Sequence, residues 1–177
     1  LGLPLGGVDP NLKPFKQEEM TFGVESEISP LYILSARYTR KNVKDAIEDQ
    51  ANLGLFEAES YIIGNVGVGL AYTSRVAGGV SKQTTVQRVY NGFEVGLTRR
   101  LSNNYFFSAN YTYSRLFGNY SGLASSDEFG RTSPGVNRFF DYPINGFNAL
   151  GVKDNGLLAT DRPHVFKAYG GYNFDWR

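Results

Sequence analysis

From Phe93 to Phe117, apolar and polar side chains alternate along two arms joined by a short polar turn. Phe93, Val95, Leu97 and Leu101 share one parity on the first arm, opposed by Glu94, Thr98 and Arg100. Tyr105, Phe107, Ala109, Tyr111, Tyr113 and Phe117 share a parity on the second, opposed by Ser108, Asn110, Thr112 and Ser114. Successive side chains of a strand point to opposite faces, so this is a hairpin with one apolar and one polar face. A one-residue slip would turn every apolar side chain to the wrong face. The parities therefore predict a three-residue turn, Ser102–Asn104, with Leu101 opposite Tyr105, Leu97 opposite Ala109 and Val95 opposite Tyr111. On the polar face they set Thr98 opposite Ser108, Gly96 opposite Asn110 and Glu94 opposite Thr112.

A second hairpin obeys the same rule. Met20, Phe22, Val24 and Ile28 alternate with Thr21, Gly23, Glu25 and Glu27, and Ser29-Pro30 ends the run. Proline cannot donate to a ladder and suits a turn. Tyr32, Leu34, Ala36 and Tyr38 then alternate with Ser35, Arg37 and Thr39. A turn centred on Pro30 pairs Val24 with Ala36 and Phe22 with Tyr38, sets Glu19 against Lys41, and puts Arg37 diagonal to Glu25. His164, Phe166, Ala168, Tyr172, Phe174 and Trp176 mark a fifth strand after Arg162-Pro163. Residues 1–17 read as loop, and Gly64–Gly69 as loop or short strand rather than a dinucleotide fingerprint, because the strand–helix context is missing.

Strands are thus expected near 18–28, 31–48, 85–101, 105–117 and 163–176. Minimal turns alternate with segments of about forty residues, near 42–83 and 117–162, which compact soluble domains seldom carry. Long strands, apolar on one face and polar on the other, with short turns at one end and long loops at the other, describe an outer-membrane barrel. The expected fold class is all-β: an antiparallel, up-and-down transmembrane β-barrel segment. Five strands cannot close, since the smallest such barrels have eight. An open edge in lipid would strand its backbone polar groups. The segment then belongs to a larger barrel, of which the 22-stranded, plugged transporter class is one. A soluble β-sandwich is the alternative, because it also buries one face of each sheet.

Parity assigns Phe22, Val24, Leu34, Val95, Leu97, Tyr111 and Phe166 to lipid. It assigns Glu25, Arg37, Glu94, Arg100 and Lys167 to the lumen, where they would touch plug or solute. Tyr32, Tyr105, Phe107, Tyr172, Phe174 and Trp176 gather at the short-turn end as an aromatic girdle. Arg40 and Arg115 fall on the apolar parity near strand ends, where long basic side chains snorkel to head groups.

Composition narrows the chemistry. The chain has 177 residues, 12 Tyr, 13 Phe and 21 Gly, which favours strands over helices. It has no Cys, so neither disulfides nor thiol chemistry is available. A net charge of +1, without a basic stripe, leaves no footprint for nucleic acid. The chain opens at Leu1 without an initiator Met or signal peptide, and stops just after an alternating strand. Both ends read as cut. His164 is the only histidine, which excludes a multi-histidine metal site and reads as a structural hydrogen-bonding residue. A Ser–His–Asp hydrolase is the enzyme alternative, but no Gly-x-Ser-x-Gly elbow is present. Asp127, Glu128, Asp141, Asp154 and Asp161 could offer oxygens to Ca²⁺, although their spacing matches no EF-hand and solvated loop acids account for them. No catalytic, cofactor-binding or metal residue is assigned, and no cofactor is implied.

Several stretches resemble a known family. Asp9-Pro-Asn-Leu-Lys-Pro14 followed by Gln17–Glu25 resembles the segment leading into a barrel strand of TonB-dependent outer-membrane receptors, in their Oar-like branch. Phe93–Leu101 and Ala109–Arg115 are similar to a later hairpin of that barrel, and Thr160-Asp-Arg-Pro-His164 to its Asp-Arg-Pro strand opening. The resemblance implies a Gram-negative outer-membrane location and solute uptake powered through TonB. It also implies the lipid bilayer, the protein's own plug domain and TonB as partners. A non-transporting surface barrel, an adhesin or assembly scaffold that binds protein through its long loops, is the other function the sequence allows.

Overall fold

The computed structural model describes residues 7–52, 60–76, 79–82, 84–120, 150, 152–153 and 155–176. Its strands are β1 (Gly7–Val8), β2 (Gln17–Ser29), β3 (Tyr32–Val43), β4 (Ile47–Asn52), β5 (Ser60–Asn65), β6 (Thr73–Val76), β7 (Gly79–Lys82), β8 (Arg88–Ser102), β9 (Tyr105–Gly118), β10 (Gly156–Leu157) and β11 (His164–Tyr172). The one helical element among the described residues is a single 3-10 turn, Gly69–Tyr72. The fold is all-β, and its main sheet runs β2–β3–β8–β9, with β10 and β11 both pairing β9. It does not close on itself among the described residues.

Register follows the apolar parity. On the polar face the Thr98 and Ser108 hydroxyls lie 3.0 Å apart, and Thr112 Oγ1 donates to Glu94 at 3.4 Å. The Thr21 and Thr39 hydroxyls, 3.4 Å apart, place the first hairpin's centre on Pro30. β11 joins β9 with Phe166 opposite Tyr111, Ala168 opposite Ala109 and Tyr172 opposite Tyr105. Apolar meets apolar across all three pairs, whereas a one-residue slip would set Lys167 and Tyr169 among them.

The second turn is shorter than the parities predicted, and the first is displaced by one residue. Only Asn103 and Asn104 lie outside the strands of the second hairpin, and both have positive φ, 49° and 67°. Two consecutive left-handed residues form the primed turn that matches strand twist, and asparagine tolerates that region. The turn closes Ser102 onto Tyr105, whereas the hydroxyl pair sets Thr98 against Ser108. β8 therefore carries one residue more than β9 between these points, a bulge that restores the apolar parity. The first hairpin turns at Pro30–Leu31, not Ser29–Pro30.

Two compact units partition the chain. One comprises 19–41, 89–116 and 160–177; the other 1–18, 42–88 and 117–159. The second holds a finding that alternation alone missed. Segment 42–83 contains β4 paired antiparallel with β5, and β6 with β7, while β5 also takes β1 in parallel. Gly7–Val8 is thus strand rather than loop, and β3 stops at Val43 instead of running to 48. Val43, Ala46, Val66 and Tyr120 form a small buried core with Val86 against it. Buried polar side chains tie its irregular backbone. Asn65 accepts from Lys13 N–H at 2.7 Å and donates to Lys13 O at 2.9 Å. Asp9 accepts from Asn11 N–H and Leu70 N–H at 2.8 and 2.9 Å. Unmade, each such buried bond would cost about 1–3 kcal/mol.

Candidate functional site

The functional feature is the sidedness of the main sheet. On its polar face Arg37 Nη2 meets Glu94 Oε1 at 2.8 Å, rather than the expected diagonal Glu25. Glu94 lies on β8, the direct neighbour of Arg37's strand β3, and strand pairing brings it nearer than the diagonal residue on β2. Arg100 pairs with Glu27 and also donates to Pro30 O at 3.1 Å. Lys41 meets Glu19 at 3.1 Å, as the parity requires. Lys167 is exposed opposite Asn110, and Glu25 is exposed on β2. Ser108 and Ser114 are buried on this face. These exposed ion pairs stabilise by no more than about 1 kcal/mol each, so their significance is the electrostatic character of the face.

Gly96 is more crowded than its parity suggested. A Cβ there would meet Ser35 Oγ at 2.6 Å and overlap Asn110 Oδ1. The two side chains close over the glycine, so this position is filled rather than open to solvent.

The other face is apolar and uncovered. Phe22, Val24, Leu34, Val95, Tyr111 and Phe166 are all exposed there, Val24 at 74% and Phe166 at 69%. Leu97 is half-buried between its neighbours. A contiguous patch of this kind exceeds what soluble monomers normally expose. Of the expected girdle, Tyr32 and Phe107 pair across strands with centroids 6.4 Å apart. Tyr172 and Phe174 lie at 4.8 Å, and Phe174 and Trp176 at 6.5 Å. β11 ends at Tyr172, so Phe174 and Trp176 extend the row beyond the strand instead of within it.

Arg99 escaped the sequence reading. It sits on the apolar parity, yet only 3% of it is exposed. Its guanidinium lies 3.5 Å above the Tyr105 ring and 6.0 Å from that of Tyr32. Nη1 donates to Ser102 O at 2.9 Å, to Arg100 O at 3.3 Å and to Tyr105 O. A cation among aromatic faces, at a strand end and four residues before an Asn-Asn pair, was the available signal.

The Asp-Arg-Pro stretch acts as a clamp. Asp161 Oδ1 accepts from Leu116 N–H at 2.6 Å and Oδ2 from Arg115 Nη1 at 3.3 Å. Ser114 donates its hydroxyl to Arg162 O at 2.9 Å and its N–H to Pro163 O at 3.0 Å. Asp161 is thus committed within the protein, and the other acids considered for calcium lie outside the described residues. His164 Nδ1 lies 2.7 Å from the Tyr111 hydroxyl, the structural role expected of it.

Long antiparallel strands with one uncovered apolar face, and paired charges and small hydroxyls on the other, form the wall of a transmembrane β-barrel. The outer membrane beta barrel domain family matches residues 1–176, and the chain belongs to it, which locates it in the outer membrane of a Gram-negative cell. It is similar to the TonB-dependent transporter Oar of Myxococcus xanthus, 32% identical over 178 residues, and is thereby an Oar-like barrel sequence. The alignment covers 98% of this chain and 15% of that relative's length. No solved structure matches.

Proposed function

We propose that this chain is part of the barrel wall of a TonB-dependent transporter that takes up a solute with energy supplied through TonB. The observation that carries the reading is the sidedness of β8 and β9: Arg37–Glu94 on one face, Val95 and Tyr111 on the other. The first face lines a lumen and meets the protein's own plug domain or a passing solute. Glu25, Arg37, Glu94, Arg100 and Lys167 are its polar contacts. The second face meets lipid, and the short turns face the periplasm. No enzymatic chemistry enters this reading. The relative's printed name supports it, and the solute is any that a lumen with both charge signs admits.

The test uses the full-length protein. Because this chain contains no cysteine, single cysteines can be read without background from it. In vesicles, a membrane-impermeant maleimide should label Glu94→Cys and spare Val95→Cys. Uptake should fail in cells lacking TonB. Labelling of Val95→Cys alone would overturn the topology; uptake without TonB would overturn the coupling.

The folded unit of 1–18, 42–88 and 117–159 favours one further reading. A loop region with its own core, Val43, Ala46, Val66 and Tyr120, presents a fixed surface to the exterior. A non-transporting barrel that binds protein there would keep its binding when TonB is deleted.

A further inference from the structure

On the apolar face at the long-loop end, three adjacent strands bring two arginines into one row. Arg40 of β3 donates from Nη1 to Asn91 Oδ1 of β8 at 3.0 Å, and Tyr38 donates its hydroxyl to the same oxygen at 2.9 Å. The β8–β9 register is fixed below this point by Glu94 and Thr112 and above it by Asn119 N–H donating to Gln87 O at 2.8 Å. Carried between them, it places Asn91 opposite Arg115. Arg40 and Arg115 thus flank Asn91, two strand spacings or about 10 Å apart at the backbone.

The two cations differ in how they are satisfied. Arg115 pairs with Asp161 at 3.3 Å, and its guanidinium lies 5.6 Å from the Tyr113 ring. Arg40 is exposed, and no carboxylate pairs with it among the described residues. The row therefore keeps one positive charge more than its acid neutralises. Asn91 Oδ1 is occupied by its two donors, which fixes the amide beneath the row.

We infer that Arg40, Asn91 and Arg115 form a site for the phosphate of a lipid head group at the outer rim of the barrel. This rests on the proposed orientation of the barrel wall. Arginine binds phosphate through its planar fork of donors, and long arginine stems reach sideways from neighbouring strands to one anion. The occupant is a lipid rather than a free anion because of what lies next to the row. Phe93 and Tyr113, exposed at 49% and 42%, stand directly toward the membrane interior, followed by Val95 and Tyr111. A ligand with a phosphate at the row has its acyl chains over those side chains. Free phosphate would leave them bare.

Native mass spectrometry of the detergent-solubilised full-length protein tests the assignment. The probes are bis-phosphorylated lipid A, the same lipid enzymatically dephosphorylated, and inorganic phosphate. Bis-phosphorylated lipid A should form a persistent adduct, weakened about tenfold or more in Arg40→Gln/Arg115→Gln, since charge-assisted contacts are among the strong ones. Lys41→Gln, on the opposite face of β3, should leave the adduct intact. Arg40→Lys/Arg115→Lys, which keeps the charge, should fold normally and retain part of the binding. An adduct equally strong in the double Gln variant, or with dephosphorylated lipid, overturns the site. Full competition by millimolar inorganic phosphate overturns the lipid assignment. The maleimide pattern above is read separately, so a failed topology and a failed lipid site give different results.

Discussion

The carboxylate of Asp161 accepts the backbone N–H of Leu116 at 2.6 Å, taking a place in the ladder that a strand residue would otherwise hold. Pro163, two residues on, has no N–H to offer, so the chain enters β11 through side-chain and carbonyl bonds instead. Asp161 fixes where β11 begins on β9. With long-range pairing across about forty residues of intervening chain, register has to be specified locally.

Removing that carboxylate should loosen the β9–β11 pair. Asp161→Ala leaves Leu116 N–H without its acceptor and Arg115 without its acid, a loss of about 1–3 kcal/mol. Denaturant titration of the full-length protein in lipid vesicles measures it. Asp161→Asn, which keeps an acceptor but no charge, should lose less. Equal stability of Asp161→Ala and the parent would show that β11 finds its register from apolar parity alone.

Tyr120 gives the loop-bearing unit a dependence on alkaline pH. Burial, and then the neighbouring Glu48 carboxylate, hold its phenol protonated well above the usual tyrosine range. The folded state therefore keeps a proton that the unfolded chain begins to release near pH 10. The stabilisation is complete below that value and declines as the pH rises toward the folded-state value. Melting temperature of the full-length protein should fall more steeply above pH 10 in the parent than in Tyr120→Phe. Parallel curves would refute it.

Arg99 stabilises the Asn103–Asn104 turn from the apolar side. Arg99→Leu suits the parity better yet removes the donor to Ser102 O and Tyr105 O. The clamp outweighs the parity, so Arg99→Leu should destabilise the barrel by about 1 kcal/mol or more in the same titration. A stabilised Arg99→Leu variant would mean that burial of leucine wins.

Arg99 also shows where sequence reading stopped. Alternation carried the five long strands and the Thr98–Ser108 and Glu94–Thr112 pairings, because a period of two over ten residues tolerates no other face assignment. It was silent where a residue is held by something other than its face. Arg99 is held through Nη1 by carbonyls of a turn whose bulge the parities absorbed. β4 and β5 escaped because strands of six residues each are too short to show a clear period. Arg37 chose Glu94 over Glu25 through a strand order that local spacing does not encode.

The two faces of β8 and β9 should respond oppositely to a buried charge. Val95 and Tyr111 are the proposed lipid contacts nearest the bilayer midplane, and an arginine there costs about 2–4 kcal/mol. Val95→Arg and Tyr111→Arg should each lower the yield of full-length protein folded into vesicles. On the polar face Gly96 is a poor control, since Ser35 and Asn110 already fill the space above it. Thr98 and Thr112 are better. Thr112 Oγ1 is 3.4 Å from Glu94, so Thr112→Arg gains a partner in place of the lost hydroxyl. Thr98→Arg loses its contact with Ser108 but projects to the same water-accessible side. Yields for both threonine variants should stay close to the parent. Equal loss at all four positions would mean that both faces are packed, and a sheet buried on both faces is not the wall of a membrane barrel.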